Sequence, residues 1–137
     1  GASANNVSDY TEIRKFANLA INYPEMYLEK YAVHIVNSTR VSGLANKYAL
    51  FLKKFGFNVP EFKSVWSTKD SYPKTTVFYR YNPTTKTGIA ADSKTLEALS
   101  LFIFSDQQAT GAPKYSKEPG TDIEVVIGDD YKLYNVQ

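Results

Sequence analysis

The segment that decides the fold is Ala32-Val-His-Ile-Val-Asn-Ser-Thr-Arg-Val-Ser-Gly-Leu-Ala45. Its first part is rich in β-branched apolar residues, which predicts a buried strand. The polar residues that follow favour a turn, because short polar side chains form hydrogen bonds with nearby backbone groups. From Val41 the apolar spacing lengthens from two residues toward about 3.6, the period of a helix. The segment therefore predicts a strand, a tight turn and a helix, with Arg40 beside the helix N-terminus.

The helix predicted from Val41 has one apolar face, and Gly56 follows it where a left-handed C-cap is expected. That face consists of Leu44, Ala45, Tyr48, Phe51, Leu52 and Phe55. Beyond it, apolar and alternating patterns predict strands over 58–67, 75–81 and 121–127. A second helix is predicted from the N-cap residues Asp92 or Ser93, and 105–120 is predicted as a polar surface segment.

Before the deciding segment, Ser8 or Asp9 is expected to cap an N-terminal helix that ends or kinks at Pro24, with a short helical piece over 25–30 after it. We expect residues 1–8 to be a cloning remnant and flexible N-terminus, 9–31 a helical linker or lid, and 32–134 the main domain. This order predicts the α+β class: a two-layer βαββαβ sandwich (split βαβ, ferredoxin-like) with an additional N-terminal helix. Both helices should cover one face of a four-stranded, mostly antiparallel sheet.

Composition excludes several classes of function. The chain has 137 residues, 43% hydrophobic and 22% charged, as expected for one folded domain. Its 16 basic and 14 acidic residues form no dense cluster, which argues against nucleic-acid binding. The absence of cysteine excludes disulfides, thiol catalysis and thiolate metal sites. No apolar run is long enough to cross a membrane, and no cofactor or metal is expected.

The 11 tyrosines and 8 phenylalanines are the compositional sign of a binding surface.

Signs of catalysis are weak. His34 is the only histidine and lies between apolar residues of a predicted strand, where a structural role is favoured. Glu118, Asp122 and Glu124 carry no mark of an acid–base pair, and no enzyme motif occurs. We therefore predict a chain that is not an enzyme. A hydrolase or transferase would require His34 or Asp130 in an accessible cleft.

The predicted turn is the best candidate for a binding site. Helix N–H groups together with Arg40 suit a phosphate or carboxylate, whereas the alternative is that Asn37, Thr39 and Ser42 only cap the helix. Trp66 and several tyrosines suit stacking on a glycan, although the alternating pattern places half of these rings in the core. The two aspartates of Gly128-Asp-Asp130 suit either a cation or a turn. The candidate ligand-binding residues are Asn37, Thr39, Arg40, Ser42, Gly43, Tyr72, Tyr79, Tyr81, Asp129 and Asp130.

Four motifs resemble the C-terminal domain of LytR-CpsA-Psr cell-envelope proteins. Residues 36–45 resemble its opening, which usually runs V-x-N-G-T/S-G-x-x-G-L-A, with Ser38 and Arg40 where the family commonly has glycines. Gly56-Phe-Asn-Val59 is similar to G-F/Y-x-V, and residues 72–79 are similar to Y-x-x-T-x-V/I-x-Y. Residues 125–131 are similar to the closing segment V-x-x-x-G-x-D-Y/F.

The resemblance implies a non-catalytic, extracytoplasmic accessory domain of the bacterial cell envelope, from a membrane-anchored parent protein. It implies cell-wall glycan (peptidoglycan) or a wall-assembly protein as partner, and not nucleic acid. The family's neighbouring catalytic domain transfers phosphate-linked polymers to peptidoglycan, and its arginine- and aspartate-rich chemistry is missing from this chain. The alternative is a structural protein-interaction or oligomerisation domain with no small ligand, which self-associates through residues 9–30.

Overall fold

The computed structural model describes residues 14, 18–19, 21–62, 65–90, 92–103, 107–116 and 120–133. The backbone is helical at 14, 18–19 and 21–22, and helix α1 follows over Pro24–Glu29. Pro24 stands at the start of α1, where its missing N–H removes no hydrogen bond. The predicted interruption at Pro24 and the short helix after it are confirmed. The predictions for residues 1–8 and for the cap at Ser8 or Asp9 lie outside the described residues.

The other elements were partly predicted from local signals. In chain order they are β1 (Val33–Asn37), α2 (Leu44–Lys54), β2 (Thr76–Tyr79), β3 (Tyr81–Asn82), β4 (Thr87–Gly88), α3 (Lys94–Leu99), β5 (Gln107–Thr110), β6 (Ile123–Ile127) and a 3-10 helix (Asp129–Leu133). Helix α2 begins three residues later than predicted, after Gly43. Helix α3 is capped as predicted, because the Ser93 side chain accepts a hydrogen bond from the Leu96 N–H at 3.4 Å.

A four-stranded sheet in the order β1-β6-β2-β5 forms one layer. Strands β1 and β6 are parallel, β2 and β5 are parallel, and β2 and β6 are antiparallel. The predicted α+β class with a small sheet is confirmed. The expectation of a mostly antiparallel sheet is wrong, since two of the three pairings are parallel.

The strand predicted over 58–67 is also wrong. This segment follows the outer edge of β1 and bonds to it near both ends: Val33 N–H donates to the Asn58 carbonyl, and Asn37 N–H to that of Trp66, each at 2.9 Å. Among the described residues of this segment, 58–62 and 65–67, Ser67 alone forms a β-bridge, opposite Asn37. Pro60 has no N–H to continue a ladder, and Phe62 packs against the ring of His34 on the sheet instead.

Strand β5 takes the fourth place in the sheet, within the part predicted as a surface segment. Residues 107–110 are Gln-Gln-Ala-Thr, a sequence with no apolar alternation to mark a strand. The parallel pairing with β2 runs from Thr76 opposite Gln107 to Tyr79 opposite Thr110. Between the end of the strand predicted over 75–81 and the second helix, the chain forms a two-stranded ribbon of β3 and β4.

Both helices pack on the same face of the sheet, as predicted. Phe51 and Phe55 of α2 contact the ring of Phe102, which follows α3, at centroid distances of 5.7 and 4.9 Å. The strands contribute alternate residues to this core: Val33, Ile35, Val77, Tyr79, Ile123, Val125 and Ile127. Their burial supplies the main driving force for the fold.

Extended segments cover the other face of the sheet. His34 and Glu124 are fully buried there. Glu124 accepts hydrogen bonds from the N–H groups of Lys114, Tyr115 and Ser116 at 3.0, 2.9 and 2.8 Å. These bonds compensate the burial of the carboxylate and hold residues 114–116 against the sheet. Within the described ranges, no helix combines the length and apolar character of a membrane span.

Candidate functional site

The candidate site lies where β1 and β6 end. These strands are parallel neighbours, so their carboxyl ends lie side by side at one edge of the sheet. The loop that follows β1 (38–43) and the 3-10 helix that follows β6 therefore meet at this edge. In sheets with parallel strands, such an edge is the common place for a ligand.

Asn37 organises the loop 38–43. Its side-chain Oδ1 accepts hydrogen bonds from the Thr39 N–H at 2.9 Å and the Thr39 hydroxyl at 2.6 Å. Its Nδ2 donates to the Val41 carbonyl at 2.8 Å. The Ser38 N–H donates to the Ile127 carbonyl at 3.1 Å, which ties the loop to the end of β6. The loop is thus held from its own chain and from the neighbouring strand.

The predicted role of Asn37, Thr39 and Ser42 as helix caps is wrong. The N-cap of α2 is Gly43, with φ 83° and no side-chain capping bond. Asn37 and Thr39 form their hydrogen bonds within the loop, and Ser42 is exposed. Glycine suits this position because φ lies in the left-handed region.

Ser38 and Arg40, which stand where the resembled family commonly has glycines, adopt their conformations without backbone strain. Among the described residues other than glycine, a positive φ occurs at Lys30 and Lys86 alone. The turn therefore tolerates side chains at 38 and 40, and the Arg40 side chain is exposed.

Two clefts lie on either side of this loop. The first, which we call the Trp66 cleft, has a volume of about 550 Å³. Its lining is mostly polar side chains and backbone around one indole ring: Asn37, Thr39, Arg40, Val41, Ser42, Gly43, Ala45, Asn46, Trp66 and Ser67. The indole Nε1–H donates to the Phe62 carbonyl at 2.9 Å, which fixes the half-buried ring.

The second cleft, which we call the basic cleft, has a volume of about 710 Å³. It is lined by Ser38, Thr39, Arg40, Val41, Thr68, Lys69, Ser71, Asp129, Tyr131 and Lys132. Thr39, Arg40 and Val41 line both clefts and form the ridge between them. Of the ten candidate residues, the structure brings Asn37, Thr39, Arg40, Ser42, Gly43 and Asp129 to these clefts.

Asp130 belongs to a structural clasp beside the site. Its Oδ1 accepts hydrogen bonds from the Thr75 N–H at 2.9 Å and the Thr75 hydroxyl at 2.7 Å. The Gly128 N–H donates to the same hydroxyl at 3.0 Å. A Cβ on Gly128 would lie 2.6 Å from the Tyr72 carbonyl oxygen, so glycine is needed for this close approach. The motifs at 72–79 and 125–131 thus hold two segments of the chain together.

Three tyrosine candidates lie apart from the clefts. Tyr79 is 4% exposed in the core, so its ring offers no face to a ligand. Tyr81 is half-buried against the same core. The Tyr72 hydroxyl lies 2.7 Å from that of Tyr115, in a separate surface cluster. We therefore leave these three residues out of the proposed site.

The geometry gives no support to a catalytic histidine. His34 is fully buried between Phe62 and Trp66, with ring centroids at 4.3 and 4.9 Å. Its Nε2 lies 2.6 Å from the Val65 carbonyl oxygen, an acceptor that requires a proton on Nε2. Asp130, the other residue that the hydrolase hypothesis requires, is engaged by Thr75. In the part of the chain that the structure describes, no three His, Cys, Asp or Glu side chains are grouped to hold a metal ion.

The cleft residues that sequence reasoning missed include Asn46, Lys69 and Lys132. Lys132 reaches the loop through the parallel pairing of β1 with β6, and Lys69 through the bridge between Ser67 and Asn37. No local spacing could identify these two residues, whereas Asn46 follows the loop directly on α2.

The family comparison covers most of the chain. A sequence profile of the family described as "LytR cell envelope-related transcriptional attenuator" (LytR_C) matches residues 30–131. No curated protein and no solved structure gives a significant match. The matched range begins within the segment that joins α1 to β1 and ends in the 3-10 helix, so it contains the whole Trp66 cleft and all of the basic cleft except Lys132.

Proposed function

The chain belongs to the LytR_C family of cell-envelope-associated accessory domains, and on this premise we propose that it binds a cell-wall glycan in the Trp66 cleft. In this proposal the domain is extracytoplasmic and performs no chemistry. It holds the polymer, or positions a neighbouring wall-polymer transferase of a membrane-anchored parent protein. The ligand class is peptidoglycan or a related wall glycan.

The observation that carries the proposal is the Trp66 cleft itself. A pyranose ring presents an apolar face and a rim of hydroxyl groups, so a glycan site needs an aromatic surface among hydrogen-bonding groups. Trp66 supplies the aromatic surface, and Thr39, Ser42 and Asn46 supply polar groups around it. A volume of about 550 Å³ is in the usual range of small-ligand sites.

The chain contains one tryptophan, so its fluorescence reports directly on the cleft. We expect soluble peptidoglycan fragments to change the Trp66 emission in a saturable titration. Asn46→Ala should weaken binding about tenfold, because the ligand would lose one well-placed hydrogen bond of about 1.4 kcal/mol. Lys47→Ala is the matched control, since Lys47 is exposed on the same helix and lines neither cleft.

Retention on insoluble wall material gives the second measurement. Trp66→Ala should lose retention, and Trp66→Phe, which keeps an aromatic ring, should retain part of it. The proposal is overturned if wall material retains the unaltered chain no better than a matrix without wall material does. It is also overturned if Asn46→Ala binds soluble fragments as tightly as Lys47→Ala.

A second candidate function is protein interaction through the N-terminal helical region. Ile21 and Leu28 are 75% and 80% exposed, which is unusual for large apolar side chains in one short region. Both precede the matched residues 30–131. This function predicts self-association, and its test is the oligomeric state.

A further inference from the structure

We propose that the basic cleft is a subsite for oxyanions, and that it takes phosphodiester or carboxylate groups carried by the polymer that occupies the Trp66 cleft. The identity of the polymer rests on the proposed function. The oxyanion subsite rests on the basic cleft alone.

The first argument is the excess of positive charge in this cleft. Arg40, Lys69 and Lys132 line it together with one carboxylate, that of Asp129. Within the described residues, none of these three cations lies within ion-pair distance of a carboxylate. The chain as a whole is nearly balanced, with a formal net charge of +2, so the concentration of cations is local. Such a cleft raises the local concentration of anions.

The second argument is that the backbone beneath each cation is anchored. The loop that carries Arg40 is bonded to β6 through the Ser38 N–H, and the Thr68 N–H, next to Lys69, donates to the Asn37 carbonyl at 2.9 Å. The Asp129 N–H donates to the Tyr72 carbonyl at 2.9 Å, and the Tyr48 hydroxyl donates to the Tyr131 carbonyl at 3.2 Å. These bonds fix the start of the 3-10 helix that carries Lys132. The backbone that carries these cations is therefore already ordered before a ligand binds, which lowers the entropy lost on binding.

The third argument concerns the class of ligand. Arginine presents a planar fork that fits the two oxygens of a phosphate or carboxylate, and lysine adds strongly hydrated point charges. The ridge of Thr39, Arg40 and Val41 is shared with the Trp66 cleft. A polymer that alternates sugar rings with anionic groups can therefore lie across both clefts at once.

The test uses the 137-residue chain and two small probes, pyrophosphate and citrate, in calorimetric titrations at low ionic strength. Arg40→Ala, Lys69→Ala and Lys132→Ala should each weaken binding about two- to fivefold, the scale of one exposed charge pair. Asp129→Asn should tighten binding by a similar factor. Lys47→Ala should leave it unchanged, and added salt should weaken it.

Each outcome decides the proposal. Binding of pyrophosphate alone supports it with a phosphodiester source, binding of citrate alone supports it with a carboxylate source, and binding of both supports shared oxyanion chemistry. The proposal is overturned if neither probe binds, or if the triple alanine variant binds like the unaltered chain.

The two proposals fail separately. If wall material is retained but neither probe binds, or the triple variant binds the probes like the unaltered chain, the oxyanion subsite fails and the glycan site stands. If the small anions bind in the basic cleft but wall material is not retained, the wall-glycan function fails and the subsite stands.

Discussion

At the scale of single residues, Asn37 shows how one side chain shapes the site. It is 7% exposed, and both ends of its amide are bonded, Oδ1 to Thr39 and Nδ2 to Val41. Asn82 makes a similar turn in an exposed place, where its Oδ1 accepts from the N–H groups of Thr84 and Thr85 at 2.9 and 3.3 Å. The two asparagines form a natural comparison of buried and exposed turns.

We predict that Asn37→Ala lowers the free energy of unfolding by about 1–3 kcal/mol, because it leaves groups of the loop without partners. Asn82→Ala should cost less than about 1 kcal/mol, since water replaces its bonds. Asn37→Asp keeps the oxygen that accepts from Thr39, so its loss in the free energy of unfolding should lie between those of the two alanine variants. Urea unfolding followed by circular dichroism measures all three. Equal effects at 37 and 82 would contradict the buried role of Asn37.

At the scale of elements, α1 is joined to α3 by one carboxylate. Glu29 Oε1 accepts hydrogen bonds from the Ser93 hydroxyl at 3.0 Å and from the Thr95 N–H and hydroxyl at 2.8 and 2.6 Å. Its Oε2 accepts from the Lys94 N–H at 3.3 Å. The carboxylate thus caps a helix that lies 64 residues further along the chain. Partial burial raises the pKa of Glu29, but these hydrogen bonds lower it by more, so its pKa lies below the usual 4.5.

The lowered pKa gives the sign of a pH effect. The stability that Glu29 contributes is fully present above its unfolded pKa, and it is lost as the pH falls through its lower folded pKa. We expect Glu29→Gln to lower the free energy of unfolding at neutral pH by about 1 kcal/mol, the usual value of a helix cap. The difference between the variant and the unaltered chain should shrink in acid.

Glu25→Gln is the control, because Glu25 is exposed on the same helix. Urea unfolding at neutral pH and at about pH 3 measures the difference. If Glu29→Gln lowers the free energy of unfolding by the same amount at both pH values, the charge of Glu29 does not contribute to stability.

The elements that the sequence predicted well are those with local signals. The apolar stripe of α2 and the Ser93 cap of α3 are complete within their own segments. Strands need a partner from elsewhere in the chain. Residues 58–67 have the apolar residues of a strand, but their described backbone bonds to β1 lie near the two ends, whereas the polar segment Gln107–Thr110 pairs fully with β2. Tertiary contacts decided both cases.

At the scale of the whole molecule, the sequence predicted the turn but not what surrounds it. Asn37, Thr39 and Arg40 were identified because they break a strand–helix pattern. Lys69 and Lys132 lie beside these residues only because of the fold. Tyr79 was a candidate but is not part of the site, because its side chain lies on the face of β2 that packs into the core. A site formed by several segments is visible from sequence only where one segment carries a local irregularity.

Ile21 and Leu28 give a prediction at this scale. If the second candidate function applies, the chain self-associates with rising concentration, because burial of these side chains removes apolar surface from water. Leu28→Ser should then return the chain to a monomer in light scattering. Leu50→Ser is the control, since Leu50 is 60% exposed on α2, away from α1. A chain that stays monomeric at high concentration removes this function and leaves the glycan proposal unaffected.

The parallel pairing of β1 with β6 also has a mechanical consequence. The chain enters the sheet at Val33, and both clefts lie beyond the opposite ends of these strands, about 16 Å away for five residues. A ligand held at the clefts and any tether that precedes α1 would therefore pull on opposite ends of the sheet. Tension from a ligand at the 3-10 helix would pass from β6 into β1 and load their hydrogen bonds in shear, so that the bonds share the force and do not open one by one.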